Sequence, residues 1–385
     1  MNTSKEELAA MGRQDTFPLS ATGEHMGLTD LGWTPDLARH FEPFARQGLA
    51  PARVAREERQ AYLVCTEQGE LTAELAGKMR HEAASRGDLP AVGDWVAVAP
   101  RPTEGKATVL AVLPRTSAFS RKVAGGHTQE QVVAANVDTV FLVCGLDHEF
   151  NLRRLERYLT LVWESGAAPV VVLNKAYVCP DVEAHVGEAE SVALGVPIHA
   201  ISATERLGFD ALEAHLGVGR TAAFLGSSGV GKSTIINRLL GTELLKTSAV
   251  RDDDSRGRHT TTHRELIVIP GKGMVIDTPG MRELQLWADG DGLRQAFDVI
   301  EALAAQCRFG DCAHHSEPGC AVQQALADGA LAAERWQSYL KLQRELRHLE
   351  RRKDQKARLA EEAKWKDIAR LQRARKKQRR KEGLW

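Results

Sequence analysis

The octapeptide Gly226-Ser227-Ser228-Gly229-Val230-Gly231-Lys232-Ser233 constrains this chain more than any other feature. It stands between an apolar run, Ala222 to Leu225, and a segment of helical spacing, Thr234 to Leu240. A G-x-x-x-x-G-K-S loop joining a buried strand to a helix is a phosphate cradle. Its glycines let successive backbone N–H groups curl around phosphate oxygens, and the helix N-terminus adds its dipole. Lys232 supplies a point charge to the outer phosphates and Ser233 a hydroxyl for Mg²⁺, with Thr234 next in the first helical turn.

The surrounding texture agrees with that loop. Val140–Val143 and Val170–Leu173 are uniformly apolar, as strands covered on both faces should be, and Leu152 to Trp163 lies between them with helical spacing. The alternation continues through Pro197-Ile198, Leu266–Ile269 and Met274–Ile276, which predicts an α/β layered domain to about residue 290. Ala52 to Phe119 reads instead as short β runs between turn signals, a small barrel that strand counting leaves open between OB-like and SH3-like. Residues 1–45 carry no motif and are read as an extension. After Pro318 there is no proline, and Ala330 to Glu382 lacks glycine as well, which predicts a long helical tail.

Charge divides the chain unevenly. From Arg335 to Trp385 there are 19 Lys+Arg against 7 Asp+Glu, a net +12, leaving 32 against 44, a net −12, in the rest. An acidic body with a basic end suits a polyanion contact made by the tail. No apolar run approaches the roughly 18 residues of a membrane span, and residues 1–30 lack a signal-peptide core, so the reading expects a cytoplasmic protein with no membrane partner. Cys307-x₄-Cys312-x-His314-x₅-Cys320 offers three thiolates and an imidazole within 14 residues, enough to close a tetrahedral Zn²⁺ shell of structural type. His315 competes with His314 on residue type alone.

Further elements surround the phosphate loop. Asp277-Thr278-Pro279-Gly280 follows the strand Met274–Ile276, placing a carboxylate for a Mg²⁺-bound water and a glycine N–H for a terminal phosphate. The polar run Gly257-Arg258-His259-Thr260-Thr261-Thr262 offers hydroxyls to complete the Mg²⁺ shell. Asn174-Lys175 and Ser202-Ala203 close two other strands, and in GTP-binding domains such elements hold guanine. Here they precede the phosphate loop: Asn174 lies 52 residues before Gly226, which implies a circular permutation.

The combination of a β-barrel, Asn-Lys before G-S-S-G-V-G-K-S-T, G-R-H-T-T-T, D-T-P-G and C-x₄-C-x-H-x₅-C resembles the bacterial ribosome small-subunit-dependent GTPase A family over roughly residues 46–345. The resemblance implies a multidomain chain: extension 1–45, OB-fold 46–118, central α/β circularly permuted P-loop GTPase domain 119–290, mainly helical zinc-binding domain 291–345, and basic helical tail 346–385. It implies a monomeric GTPase of late small-subunit maturation, stimulated by the subunit and its rRNA, with GTP/GDP, Mg²⁺ and one structural Zn²⁺ on Cys307, Cys312, His314 and Cys320. The catalytic group would be Lys232, Ser233, His259, Thr261, Asp277 and Gly280, with Ser233, Thr261 and Asp277 on Mg²⁺. Nucleotide contacts would come from Gly226 to Thr234, from Asn174, Lys175, Ala176 and Tyr177, and from Ser202 and Ala203. The family's guanine motif is Asn-Lys-x-Asp, and this chain departs from it at Tyr177. Met281, after Gly280, occupies the place of a water-orienting Gln, which moves that task to His259. Two alternatives follow: a subunit-binding module with impaired guanine selectivity or hydrolysis, and a P-loop ATPase of another kind, which Asn174-Lys175 and Ser202-Ala203 argue against.

Overall fold

The computed structural model describes residues 26–59, 61–83, 85–122, 130–147, 150–242, 245, 264–277, 291–348 and 351. The chain divides into two compact units, residues 1–285 and 286–385. Among the described residues no helix is long and apolar enough to cross a membrane.

The first unit opens with helix α1 (Pro35–Ala45), whose start is written locally: Thr34 accepts from the Leu37 N–H at 3.3 Å, Pro35 follows, and Asp36 meets the helix dipole. The residues read as a featureless extension thus contain a helix, and Trp33 packs edge-on against Trp95 with centroids 4.8 Å apart. Five strands follow, β1 (Ala50–Glu57), β2 (Tyr62–Thr66), β3 (Gly69–Leu75), β4 (Trp95–Arg101) and β5 (Lys106–Val112), with helix α2 (Gly77–Glu82) between β3 and β4. They close in the order β1-β2-β3-β5-β4-β1, with β3 and β5 parallel, as an OB-like barrel. Inward-facing Val54, Val64, Leu71, Val96, Val98 and Val109 fill it.

A hairpin, β6 (Ala118–Lys122) and β7 (Glu130–Ala135), leads into the α/β layer. That layer comprises β8 (Thr139–Gly145), α3 (Leu152–Ser165), β9 (Ala168–Asn174), α4 (Val182–Val192), β10 (Ile198–Ala200), α5 (Phe209–Glu213), β11 (Thr221–Gly226), α6 (Lys232–Leu240), β12 (Glu265–Ile269) and β13 (Gly273–Asp277). Its strand order is β10-β9-β8-β11-β13-β12, parallel except for β12. Every residue of β8 is buried, as its unbroken apolar run requires.

Barrel and layer are one body because β12 pairs antiparallel with β1 through Arg56 and Glu265, making a continuous 11-stranded sheet. Beside this joint lies Arg53, only 2% exposed. Its guanidinium donates to the carbonyls of Gly93 (3.2 Å), Asn136 (3.0 Å) and Leu31, and to the Thr221 hydroxyl (2.8 Å). One side chain therefore satisfies acceptors from the α1 approach, the barrel, the β7–β8 turn and β11. Burial holds its pKa down to about 10, against the opposing charges of Asp138 and Asp94, so it stays charged at neutral pH.

The second unit contains α7 (Asp291–Ala296), α8 (Asp298–Ala304), α9 (Ala321–Ala327) and a helix over residues 333–348. Leu342 and Leu346 of that last helix are buried. The cationic tail beyond residue 351 lies outside the described residues.

Candidate phosphate, base and metal sites

The phosphate loop begins where β11 ends. Parallel pairing sets Gly226 beside Val143 of β8, so closely that a Cβ on Gly226 would overlap the Val143 carbonyl oxygen. At the far end Gly231 has φ +98°, and a Cβ there would overlap the Asn174 amide. Helix α6 starts at Lys232 with no side-chain cap, leaving its first N–H groups to serve a phosphate. Lys232 Nζ donates to the carbonyls of Gly226 (2.9 Å) and Ser227 (2.6 Å) across the loop mouth. Val230 is buried, whereas Ser228 and Gly229 are exposed. Ser233 and Thr234 lie half-buried in the first turn of α6.

Asp277 ends β13, two strands from β8. Burial pushes its carboxyl above the usual carboxylate range, Lys232 pulls it back, and Glu265 adds to the rise. A carboxylate held this way near Lys232 is a hard-oxygen donor suited to a divalent cation.

Asn174 joins the base loops to the phosphate loop. Asn174, 2% exposed at the end of β9, donates from its amide to the Val230 carbonyl (2.8 Å) and accepts from the Ala203 N–H (3.0 Å). Parallel pairing of β9 with β10 (Leu173 with Ala200) brings the Ser202-Ala203 turn alongside, and the Ala176 N–H donates to the Ile201 carbonyl at 3.1 Å. Lys175 adopts the left-handed conformation at φ +68°, and its ammonium pairs with Asp147 on the β8–α3 connection. Tyr177 stands in a single turn, Ala176–Val178, and is 51% exposed. Asp181, four residues on, caps α4 by accepting from the Ala184 N–H at 3.0 Å.

In the second unit, ligand atoms of Cys307, Cys312, His314 and Cys320 all lie within 4.8 Å of one another, an arrangement able to hold a metal ion. A tetrahedron with metal–sulfur bonds of about 2.3 Å and metal–nitrogen bonds of about 2.0–2.1 Å has edges of roughly 3.8 Å between sulfurs and 3.5 Å between sulfur and nitrogen. Here Cys307 and Cys320 Sγ are 3.8 Å apart, and His314 Nδ1 lies 3.5 Å from Cys307 Sγ and 3.4 Å from Cys320 Sγ. The donor set fits. His314 rather than His315 converges, with its backbone in the left-handed region at φ +57°. Gln323 Nε2 donates to the His314 carbonyl at 2.6 Å, and Trp336 packs edge-on against its ring. Glu317 accepts from the N–H groups of Ala313, His315 and Ser316, and backbone donors, its own N–H first, hold its carboxyl down to about 2.

His259, Thr261, Gly280 and Met281 lie outside the described residues. Sequence reasoning missed Arg53, Asp147 and Arg154, which sit in no motif. The one local signal was the first turn of α3, where Arg153 and Arg154 occupy positions that favour acids.

A six-stranded α/β layer with a phosphate loop after β11, and base loops earlier in the chain, defines a circularly permuted P-loop GTPase carried beside an OB-like barrel. The comparisons with known proteins agree. Residues 112–287 match the family RsgA GTPase. The small ribosomal subunit biogenesis GTPase RsgA of Opitutus terrae is 50% identical over 369 residues, covering 94% of this chain and all of the relative. The RsgA 1 protein of the same description from Oceanobacillus iheyensis is 49% identical over 319 residues, covering 83% and 91%. Among solved structures, YjeQ from Thermotoga maritima superposes with a TM-score of 0.59 at 28% identity, over 77% of this chain and 98% of that one. YloQ, described as a circularly permuted GTPase, shares the fold with a TM-score of 0.56 at 22% identity, over 78% and 96%. The chain belongs to the RsgA GTPase family.

Proposed function

We propose that this protein hydrolyses GTP to GDP and phosphate in small-ribosomal-subunit biogenesis, late in maturation and on stimulation by the subunit. The observation that carries the reading is Asn174, which ties the base loops to the phosphate loop in a member of this family. Residues Gly226 to Thr234 bind the phosphates, and Asn174, Lys175, Ala176, Tyr177, Ser202 and Ala203 line the base. Ser233, Thr261 and Asp277 would hold Mg²⁺, which supplies neutralisation of phosphate charge when bound. Lys232 draws electron density from the phosphates as the β–γ bridge breaks, and the Gly280 N–H would serve the terminal phosphate. Met281 has no group to orient water, so His259 takes that role. Cys307, Cys312, His314 and Cys320 would hold one structural Zn²⁺. The basic tail, 346–385, supplies contacts to rRNA phosphates, and the protein acts as a cytoplasmic monomer.

Tyr177 supports a second reading, a subunit-binding module whose guanine selectivity or hydrolysis is impaired, because Asp181 is committed to capping α4. Turnover of GTP and of ATP, measured with and without small subunits, separates the two. Subunit-stimulated, GTP-selective turnover that Lys232→Ala abolishes and His259→Ala reduces supports the GTPase. Subunit binding without turnover supports the module.

A further inference from the structure

Arg154 reaches the phosphate loop from outside every nucleotide-binding motif. It stands in the first turn of α3, where Asn151 caps the helix by accepting the Arg154 N–H at 3.0 Å. No acidic residue occupies that turn, and a cation there opposes the helix dipole. Its guanidinium nevertheless turns toward the loop, and Nη1 donates to the hydroxyl of Ser227, 73 residues later in the chain. Its charge is also felt by the Cys144 thiol near the end of β8, against the burial that pushes that thiol up to about 11. The guanidinium therefore lies over the carboxyl ends of β8 and β11, the edge at which parallel α/β sheets bind ligands.

Ser227 is gripped by two cations. Arg154 holds its hydroxyl while Lys232 Nζ holds its carbonyl at 2.6 Å. Both cations stand at one residue of the phosphate loop, and a polyanion is attracted to each. Lys232 serves the outer phosphates of a bound nucleotide. The Arg154 guanidinium adds a second cation at the same residue of the loop.

We propose that Arg154 is a catalytic residue of this site, a cation supplied in cis that contacts the terminal phosphate of GTP and stabilises the charge spread over its oxygens as the β–γ bridge breaks. The Ser227 hydroxyl aims it. This inference rests on the GTPase reading above and adds to it a group that tells triphosphate from diphosphate.

The test compares Arg154→Ala, Arg154→Lys and the unmodified full chain, each checked for melting temperature. Displacement titrations give the GTP-to-GDP affinity ratio, and single turnover at saturating GTP with small subunits gives the rate. An arginine at a transferring phosphoryl group is worth about 10³–10⁵ in rate, so Arg154→Ala should slow turnover by about a hundredfold or more. It should lower the GTP-to-GDP ratio about tenfold or more while leaving GDP affinity within about threefold, since a charged hydrogen bond is worth roughly 1.5–3 kcal/mol. Arg154→Lys keeps a charge but loses the planar fork, and should slow turnover at least about fivefold. If the alanine variant is destabilised, the lysine variant decides. Equal weakening of GTP and GDP would assign Arg154 to loop shape and overturn the proposal, as would unchanged ratio and rate. Absence of turnover in the unmodified chain would instead count against the GTPase reading, while the affinity ratio would still test Arg154.

Discussion

Replacing Tyr177 by Asp should tighten GTP binding and restore preference for GTP over ATP. In an Asn-Lys-x-Asp loop the carboxylate accepts two hydrogen bonds from guanine ring donors, a pair that adenine lacks. A hydrogen bond to a charged group is worth about 1.5–3 kcal/mol, so a single restored bond converts to roughly ten-fold to over a hundred-fold in affinity. Neither aspartate described near this loop is free to substitute. Asp181 spends its carboxylate on the Ala184 N–H, a cap worth about 1 kcal/mol, and Asp147 is paired with Lys175. The substitution costs little elsewhere, because Tyr177 is 51% exposed and stands outside the buried core. Calorimetric titration of both nucleotides against both proteins should show GTP tightening by about tenfold or more, with ATP within about threefold and an unchanged melting temperature. An identical GTP-to-ATP ratio in the two proteins would refute the reasoning and show that the Ser202-Ala203 backbone already supplies the discrimination.

Arg53→Met keeps volume but leaves the Leu31, Gly93 and Asn136 carbonyls and the Thr221 hydroxyl without their donor; it should cost roughly 3–5 kcal/mol in urea unfolding, and a loss under about 1 kcal/mol would show that water replaces the guanidinium. Cys312→Ser should drop bound zinc from about one per chain to near none and unfold residues 291–348 while nucleotide binding persists; a folded, metal-free native protein would defeat the structural-metal reading. His199 and His215 meet Nε2 to Nε2 at 2.9 Å, and burial lowers both pKa values, His199 further through His215. Because the unfolded chain then binds protons more readily, their contribution to stability is present above the ordinary imidazole pKa of about 6.5 and is lost as pH falls below it. His215→Gln should flatten the fall in melting temperature between about pH 7 and pH 5, and an unchanged profile would remove the pair from the account. Truncation before Arg351 should weaken subunit binding and flatten its salt dependence, whereas an equal salt slope would return the tail to a solvated helix.

The chemistry of this protein was written into local sequence. A phosphate loop needs its glycines and lysine at fixed spacing, a closed metal site needs four soft donors within a short segment, and buried parallel strands need unbroken apolar runs. Motif order alone implied the permutation, since chain order survives any packing. Strands β1 and β3 were harder to read. Ala50-Pro51-Ala52-Arg53 and Gly69-Glu70-Leu71-Thr72 mix small and polar residues, because β3 turns one face to solvent and β1, buried from Ala52 to Ala55, carries Arg53 into a polar junction. Tertiary structure alone decided between His314 and His315, by setting the first in a left-handed backbone conformation that carries Nδ1 toward Cys307 and Cys320. It also decided that Asn174 would brace two loops, that Arg53 would join barrel to layer, and that Arg154 would meet Ser227. Those contacts span from 29 to 168 residues of chain. Periodicity and spacing report only what lies within a few turns, whereas strand pairing chooses which distant side chains share one buried place.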